Sequence, residues 1–196
     1  MANIGMQGMK YALLETANDG TESYKPSKSF AGAISASITP NSAEASLYVD
    51  DKLMEYASSF QNATISLSVA DDNDEVFSDL LGRQKEASTG RYRSNINDVV
   101  PYVGFGYIVS KIISGKTKFR AQFFPKMKFK VFVPEASTKG ENLEFKTITV
   151  EGVTMPNKYG DWESHCDVDS LSEAEEELNK YFTLPLSDPH PTAVTP

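Results

Sequence analysis

Hydrophobic and polar residues alternate with a period of two along much of the chain. The alternation is clearest over residues 34–38, 45–49 and 63–69, where Ile, Ala, Leu or Val fills every second position. This is the period of β-strands that turn one face toward a core and the other toward water. Asp50-Asp51 separates two apolar stretches and predicts a hairpin turn. Residues 41–62 are therefore expected to form a projecting hairpin.

The segment from Tyr102 to Val133 is the most strand-like part of the sequence, because Tyr, Phe, Ile and Val are dense there. Ser114-Gly115 predicts a turn between two strands. Pro125 indicates a strand break or an edge position, since proline donates no ladder hydrogen bond. Further strands are predicted at Leu143–Glu151 and Asp161–Val168.

Two segments have the apolar spacing and the end signals of helices. The first begins with the acids and the Asn cap of residues 72–75 and ends at Gly82. The second begins with the capping-box pattern of residues 170–173 and continues to Phe182. The sequence therefore predicts a mainly β protein with one short helix and one C-terminal helix.

The domain boundary follows from the prolines. Four of the ten prolines fall in the last fourteen residues, at Pro185, Pro189, Pro191 and Pro196, so this end forms neither a helix nor an inner strand. Residues 1–182 are predicted to form a single domain and residues 183–196 an extended arm. Within the domain, the polar segment Glu15–Ser29 predicts a long projecting loop.

Composition narrows the possible classes. The chain has 196 residues, of which 40% are hydrophobic, and its mean hydropathy is −0.36, which is typical of one globular domain. No stretch approaches the roughly 20 apolar residues of a membrane span, and no secretion signal precedes the domain. The single cysteine excludes an internal disulfide framework. Synthesis in a reducing cytoplasm and no membrane partner are the resulting expectations.

Charge is unevenly distributed along the chain. The net charge is −8, yet residues 91–130 contain nine basic residues and one acidic residue, while residues 161–196 contain one basic and nine acidic residues. An acidic protein of this kind is a poor sequence-independent binder of nucleic acid. The separation favours self-association, in which a basic surface of one copy meets an acidic surface of the next.

Two short motifs resemble nucleotide-binding loops and fail at required positions. Gly104-Phe105-Gly106 lacks the third glycine, since residue 109 is Val, and a strand is predicted after it. Gly115-Lys116-Thr117 lacks the glycine required at residue 110, and no helix follows it. The favoured interpretations are close packing of a strand and a hairpin turn. Neither an enzyme nor a cofactor is expected.

The run from His165 to Asp169 contains several metal-ligand residue types. On a strand, His165, Asp167 and Asp169 face outward with Glu163, while Trp162, Cys166 and Val168 face the core. Cys166 and His165 therefore do not bind one ion. A solvated acidic face is favoured, and a weak surface site of His165 and the acids is the alternative. No metal is expected.

Aromatic residues accompany the basic residues of the strand after Ser114-Gly115, as they do in single-stranded nucleic-acid platforms. Strict alternation favours a different interpretation, in which the cations lie on an exposed face and the aromatics on a buried one. The cations in question are Lys116, Lys118 and Arg120, followed by Lys126, Lys128 and Lys130.

The order of several motifs resembles the major tail protein of long-tailed, non-contractile bacteriophages that infect Gram-positive bacteria. The stretches that carry this resemblance, over residues 4–182, are Ile4-Gly5-Met6-Gln7-Gly8, residues 43–51, Asp79-Leu80-Leu81-Gly82, residues 101–107, residues 124–129, residues 138–145 and the Trp162 strand with its following helix. No single stretch is diagnostic; their order and spacing carry the resemblance.

The resemblance implies a β-sandwich or half-barrel with a flanking helix. It also implies a non-enzymatic virion protein, made in the host cytoplasm, whose hexameric rings stack into a tail tube. Its implied partners are further copies of itself, the tape-measure protein, and the distal tail and tail terminator proteins. Genomic DNA would pass through the lumen without specific binding, which a neutral or acidic lumen favours.

Assembly of this kind assigns contact roles to particular residues. Ring stacking is expected at the hairpin tip and at the long loop, and subunit contacts are expected at the first basic strand face and the Pro-rich arm. The basic faces are expected to point outward or toward acidic neighbours, and the arm to cross an adjacent subunit or to fold back on its own domain. The interface residues so predicted are Asp50, Asp51, Lys52, Glu22, Tyr24, Lys116, Lys118, Arg120, Pro185 and Pro189.

Two alternatives of a different kind stay open. One is a monomeric or small-oligomer β-sandwich of a virion that binds a carbohydrate or a receptor, for which exposed aromatics in a shallow groove would be evidence. The other is the inner tube of a contractile tail or of a tail-like bacteriocin, which uses the same type of subunit.

Overall fold

The computed structural model describes residues 2–30, 32–70, 73–132 and 147–183. These residues form a nine-stranded antiparallel sheet, a separate two-stranded sheet and two α-helices, which confirms the mainly β prediction. The elements are β1 Ala2–Thr16, β2 Glu22–Tyr24, β3 Lys28–Ser29, β4 Ala33–Val49, β5 Lys52–Val69, α1 Asp74–Leu81, β6 Gln84–Lys85, β7 Tyr92–Arg93, β8 Val103–Ile113, β9 Lys116–Phe129, β10 Ile148–Thr154, β11 Ser164–Val168 and α2 Leu171–Thr183.

The large sheet has the strand order β2-β1-β8-β9-β10-β5-β4, with β3 added to β1 and β11 added to β9. Strands β8 and β9 form the predicted hairpin, and both turn residues, Ser114 and Gly115, have a positive φ. On its other side β9 pairs with β11 over residues 119–123 and with β10 over residues 127–129. This central strand therefore holds the two halves of the sheet together.

Pro125 does not break β9, in contrast to the prediction of a break or an edge. The register shifts there by one residue, because Val103 pairs with Met127 and Phe105 with Phe124. Pro125 thus lies in a β-bulge and in the gap between the pairings with β11 and β10. A missing backbone N–H is tolerated at such a position, since no ladder hydrogen bond requires it.

The bulge reverses which face of the sheet receives the side chains of β9. Phe123 belongs to one hydrophobic core, whereas Phe124 and Met127 belong to another. The larger core lies against α1 and includes Tyr11, Ile65, Leu67, Leu80, Phe105, Phe124, Met127 and Val150. The smaller core lies under α2 and consists of Ala12, Ile108, Ala121, Phe123, Ala174, Leu178 and Phe182. Each face of β8 and β9 is therefore covered along part of its length.

Two glycines of β8 allow α2 and β2 to approach the sheet closely. A Cβ at Gly106 would lie 2.5 Å from Leu178 Cδ1, and a Cβ at Gly104 would lie 2.7 Å from Tyr24 Cε1. Real Cβ atoms do not approach other atoms so closely, so both positions require glycine for packing. The structural interpretation of Gly104-Phe105-Gly106 is thereby confirmed.

Both helices have the predicted end signals. The Asn73 side chain accepts hydrogen bonds from two backbone N–H groups of α1, and Gly82 ends the helix with φ +68. At α2 the Ser170 hydroxyl accepts from Glu173 N, while the Glu173 carboxylate accepts from the backbone N–H of Ser170. This is the reciprocal capping box.

The N-terminal quarter of the domain differs from the prediction. Glu15–Ser29 is not a projecting loop, because β2 and β3 within it pair back onto β1. Strand β1 itself was not predicted, since a register shift at Gly8, with φ +63, interrupts its alternation. The predicted strand 143–151 begins at Ile148 in the structure, and residues 143–146 lie outside the described part of the chain.

Candidate assembly surfaces

The hairpin arm, which we define as residues 41–62, projects from the sheet as the sequence predicts. Strands β4 and β5 stay paired as far as Val49 and Lys52, and the two turn residues Asp50 and Asp51 have φ of 50° and 60°. Two-residue hairpins of this type require a positive φ at both turn positions, which Asp tolerates better than most residues. From Asn41 to the turn, the arm extends about 30 Å.

Burial of the arm differs from the sequence expectation. The alternation over residues 45–49 predicted a half-buried strand, yet every residue from Thr39 to Ser59 is exposed. By contrast, residues 63–69 alternate as predicted, with Ala63, Ile65, Leu67 and Val69 buried. The apolar side chains of the arm therefore do not contribute to a hydrophobic core of the subunit.

Both faces of the arm carry apolar side chains. The strand register places Tyr48, Leu53 and Tyr56 on one face, and Leu47 and Val49 on the other. Met54 occupies a register shift near the tip and is 73% exposed, while Tyr48 is 65% exposed. Such a run of exposed apolar residues on a projecting element is typical of a protein–protein contact.

Strand β4 also offers an unpaired edge. It is the last strand of the sheet, and no strand of the described segments pairs with its outer side. Along residues 39–49 this strand is exposed, so its edge presents backbone N–H and C=O groups that a strand of another chain can use. The unpaired edge of β4 and the exposed apolar faces thus both belong to the hairpin arm.

Of the six basic residues between positions 116 and 130, four are paired with acids of their own chain, whereas Lys128 lies over the Tyr102 ring and Lys116 is exposed beside the turn. Lys118 Nζ lies 2.7 Å from Asp169 Oδ1. Arg120 donates two hydrogen bonds of 2.6 Å to the two carboxylate oxygens of Asp167. The second basic face also has ion pairs within the subunit: Lys126 binds Glu22 at 2.7 Å and Lys130 binds Glu151 at 2.8 Å. The bulge places the two basic faces on opposite sides of the sheet, so they do not form one patch.

The pairing of Asp167 predicts a pH-dependent contribution to stability. The hydrogen bonds from Arg120 hold the pKa of Asp167 below its usual range. A carboxyl group with a lowered pKa in the folded state stabilises the fold at pH values above its unfolded-state pKa of about 4. That contribution is lost as the pH falls through the folded-state pKa. For Asp167→Asn we expect a loss of about 1 kcal/mol in the free energy of unfolding at pH 7, since both side chains are partly exposed.

Denaturant titrations of wild type and Asp167→Asn at several pH values measure this difference. We expect the difference between the two proteins to shrink as the pH falls below about 4 and the wild-type carboxyl becomes protonated. Asp51→Asn, at the exposed turn, is the matched control and should leave stability unchanged at every pH. A difference that persists undiminished at pH 2 would contradict an ionic origin.

Glu22 and Tyr24 lie inside the subunit, in contrast to their prediction as contacts of a projecting loop. The Tyr24 hydroxyl donates to Pro125 O at 2.6 Å, and its ring packs edge-on against Phe123 and Phe182. Burial raises the pKa of Tyr24. The Glu22 side chain is only 9% exposed and binds Lys126. Both residues thus attach β2 to the sheet and to α2.

The remaining candidate motifs lie at separate places in the fold. Gly115-Lys116-Thr117 forms the β8–β9 turn and the start of β9, and His165 is exposed beside Glu163, 3.0 Å away. Over the described ranges, no three His, Cys, Asp or Glu residues are grouped so that they could hold a metal ion. In the same ranges, no helix has the length and apolar character of a membrane span. Pro185 and Pro189 lie outside the described residues.

No protein-family model matches the chain, and no curated protein is significantly similar to it in sequence.

Proposed function

We propose that the protein is a structural subunit that polymerises with its own copies into hexameric rings, which stack as the tail tube of a long-tailed, non-contractile bacteriophage. The observation that carries this proposal is the hairpin arm, whose apolar side chains lie exposed on both faces. The order of the sequence motifs over residues 4–182 supports the same assignment.

The physical argument concerns the stability of the arm. A two-stranded hairpin without a core on either face is marginally stable in water. Large apolar side chains on both faces become an advantage only when other protein surfaces cover them. A partner that is always present, as in a homopolymer, meets this requirement. The proposal therefore gives the arm the role of contacting the neighbouring ring, with Asp50, Asp51 and Lys52 at the tip of the arm.

The carbohydrate- or receptor-binding alternative is less well supported. Ligand sites of that kind place aromatics in a concave groove. Tyr48 and Tyr56, the exposed aromatics of the arm, lie instead on a projecting hairpin. Between a non-contractile tail and a contractile tail or tail-like bacteriocin, the motif order favours the first.

The charge arrangement suits a tube through which DNA passes. Cations that are free to bind phosphate would retain DNA, whereas cations paired with carboxylates bind it weakly. Lys118, Arg120, Lys126 and Lys130 all have acidic partners within the subunit, and the net charge is −8. Passage of DNA without specific binding, around a tape-measure protein and between distal tail and terminator proteins, is part of the proposal.

Imaging tests the proposal directly. Purified protein, concentrated stepwise and viewed by negative-stain electron microscopy, should show six-fold rings or stacked tubes. Sedimentation of the same samples measures the fraction assembled. A compact monomer at every concentration, together with absence of the protein from purified tails, would contradict the proposal.

A further inference from the structure

One contact fixes the base of the hairpin arm to the body of the subunit. Phe60, near the base of the arm, stacks on Trp162 with ring centroids 4.6 Å apart and an interplanar angle of 21°. Phe60 is the first half-buried residue after the exposed run that ends at Ser59. The stack therefore lies at the point where the arm leaves the body.

Trp162 is the anchored member of the pair. It packs against the larger core, and its carbonyl oxygen lies 3.3 Å from the hydroxyl of Thr154, which is fully buried. The turn before it is closed by a backbone hydrogen bond from Asn157 N to Asp161 O and by Asp161 N donating to the Asn157 side chain. Backbone and ring are thus both held by the body.

A β-bulge lies in the arm at the same level. The register of β4 and β5 shifts by one residue between Asn41↔Asn62 and Ser42↔Phe60, which leaves Gln61 as a β-bulge. A bulge bends the strand and increases its twist, so a small change there swings the tip through a large arc. Beside the bulge, the Asn41 side-chain amide donates across the strands to Asn62 Oδ1 at 2.8 Å and to Thr64 Oγ1 at 3.4 Å, and both contacts are exposed.

We propose that Trp162 is a positioning residue for assembly, which sets the direction of the hairpin arm by stacking on Phe60 at its bulged base. This inference rests on the proposed function, because a fixed direction matters when the arm must reach a defined surface of the next copy. If the arm adopts several orientations, only a fraction of the molecules has the orientation that docking requires. The apparent affinity then falls by that fraction.

The direction of the arm can be measured without assembly. In a Cys166→Ser background, which removes the only native thiol, spin labels at Lys52→Cys beside the tip and Glu175→Cys on α2 report the distance between arm and body. We expect one narrow distance distribution in dilute protein. Trp162→Leu, which keeps an apolar side chain and removes the stacking ring, should broaden it.

Assembly supplies the second measurement. We expect Trp162→Leu to raise the critical concentration for ring or tube formation about tenfold, as for an arm correctly directed about one-tenth of the time. Trp162→Phe, and the swapped pair Phe60→Trp with Trp162→Phe, should restore both the narrow distribution and assembly. Tyr159→Leu, an exposed aromatic of the same turn that makes no ring contact with the arm, is the matched control.

The outcomes separate the two proposals. A wild-type protein that never assembles contradicts the proposed function, while the distance distributions still decide whether Trp162 directs the arm. A narrow, unchanged distribution and unchanged assembly in Trp162→Leu would overturn the positioning role. If Trp162→Leu does not fold, the swapped pair decides, because a folded swap with a broad distribution or impaired assembly would also overturn it.

Discussion

Shortening the hairpin arm should abolish polymerisation and leave the subunit folded. The change removes residues 44–58 and joins Ala43 to Ser59, which are paired across the hairpin, by an Asn-Gly turn. Every removed residue is exposed, so no core contact is lost and the melting temperature of the monomer should stay the same or rise. Assembly, measured by sedimentation and negative-stain microscopy, should fall below detection at concentrations where wild type is fully assembled.

A substitution of the two turn residues tests whether the negative charge at the tip, rather than the apolar side chains of the arm, is needed for assembly. Asp50→Asn with Asp51→Gly keeps a sequence that favours the same turn and removes two carboxylates from the tip. If apolar contacts along the arm hold the rings together, this variant should still assemble. Normal tubes from the shortened variant would show that the arm is not a stacking element.

Substituting Gly106 by Val should detach α2 from the sheet. A Cβ at this position would lie 2.5 Å from Leu178 Cδ1 and 2.8 Å from the carbonyl oxygen of Gln122. The side chain of Leu178 can move, but the carbonyl oxygen belongs to the β9 backbone beside β8. We expect a loss of about 3 kcal/mol or more in the free energy of unfolding, equivalent to a melting temperature roughly 10 °C lower for a domain of this size.

Gly5→Ala is the matched control, because a Cβ at Gly5 meets no atom within 4 Å. Differential scanning calorimetry of the three proteins gives the comparison, and loss of α2 should appear as lower helix content by circular dichroism. A Gly106→Val protein as stable as the Gly5→Ala protein would contradict the close packing of α2 on β8.

The sequence was most informative where local chemistry and structure agree. Alternation over residues 63–69 predicted both the strand and its buried face, and Asp50-Asp51 predicted the tip of the hairpin arm. Capping residues predicted both helices with their ends, because a cap is satisfied within a few residues of the chain. The same reasoning did not detect β1, since its register shift at Gly8 disrupts the period on which strand prediction depends.

The candidate surfaces were predicted less completely. Asp50, Asp51 and Lys52 lie at an exposed tip as predicted, but Glu22 and Tyr24 lie inside the subunit. Alternation over residues 45–49 predicts one face buried in the core of the subunit, yet these residues are exposed. The pattern indicates that one face of a strand is buried, but it does not indicate which surface buries it. The Phe60–Trp162 stack joins residues 102 positions apart, and no local signal marks it.

By itself, the sequence determined the mainly β class, the projecting hairpin and the two capped helices, because these depend on the period of side chains and on turn and cap residues close together in the chain. The tertiary structure alone decided which faces are covered, which acids neutralise the cations of β9, and how the arm is joined to the body. Those features depend on strand order and on a bulge at Pro125 that exchanges the two faces of β9. One residue of register reverses every side chain that follows it, so alternation without pairing partners does not assign a strand to a core, an interface or solvent.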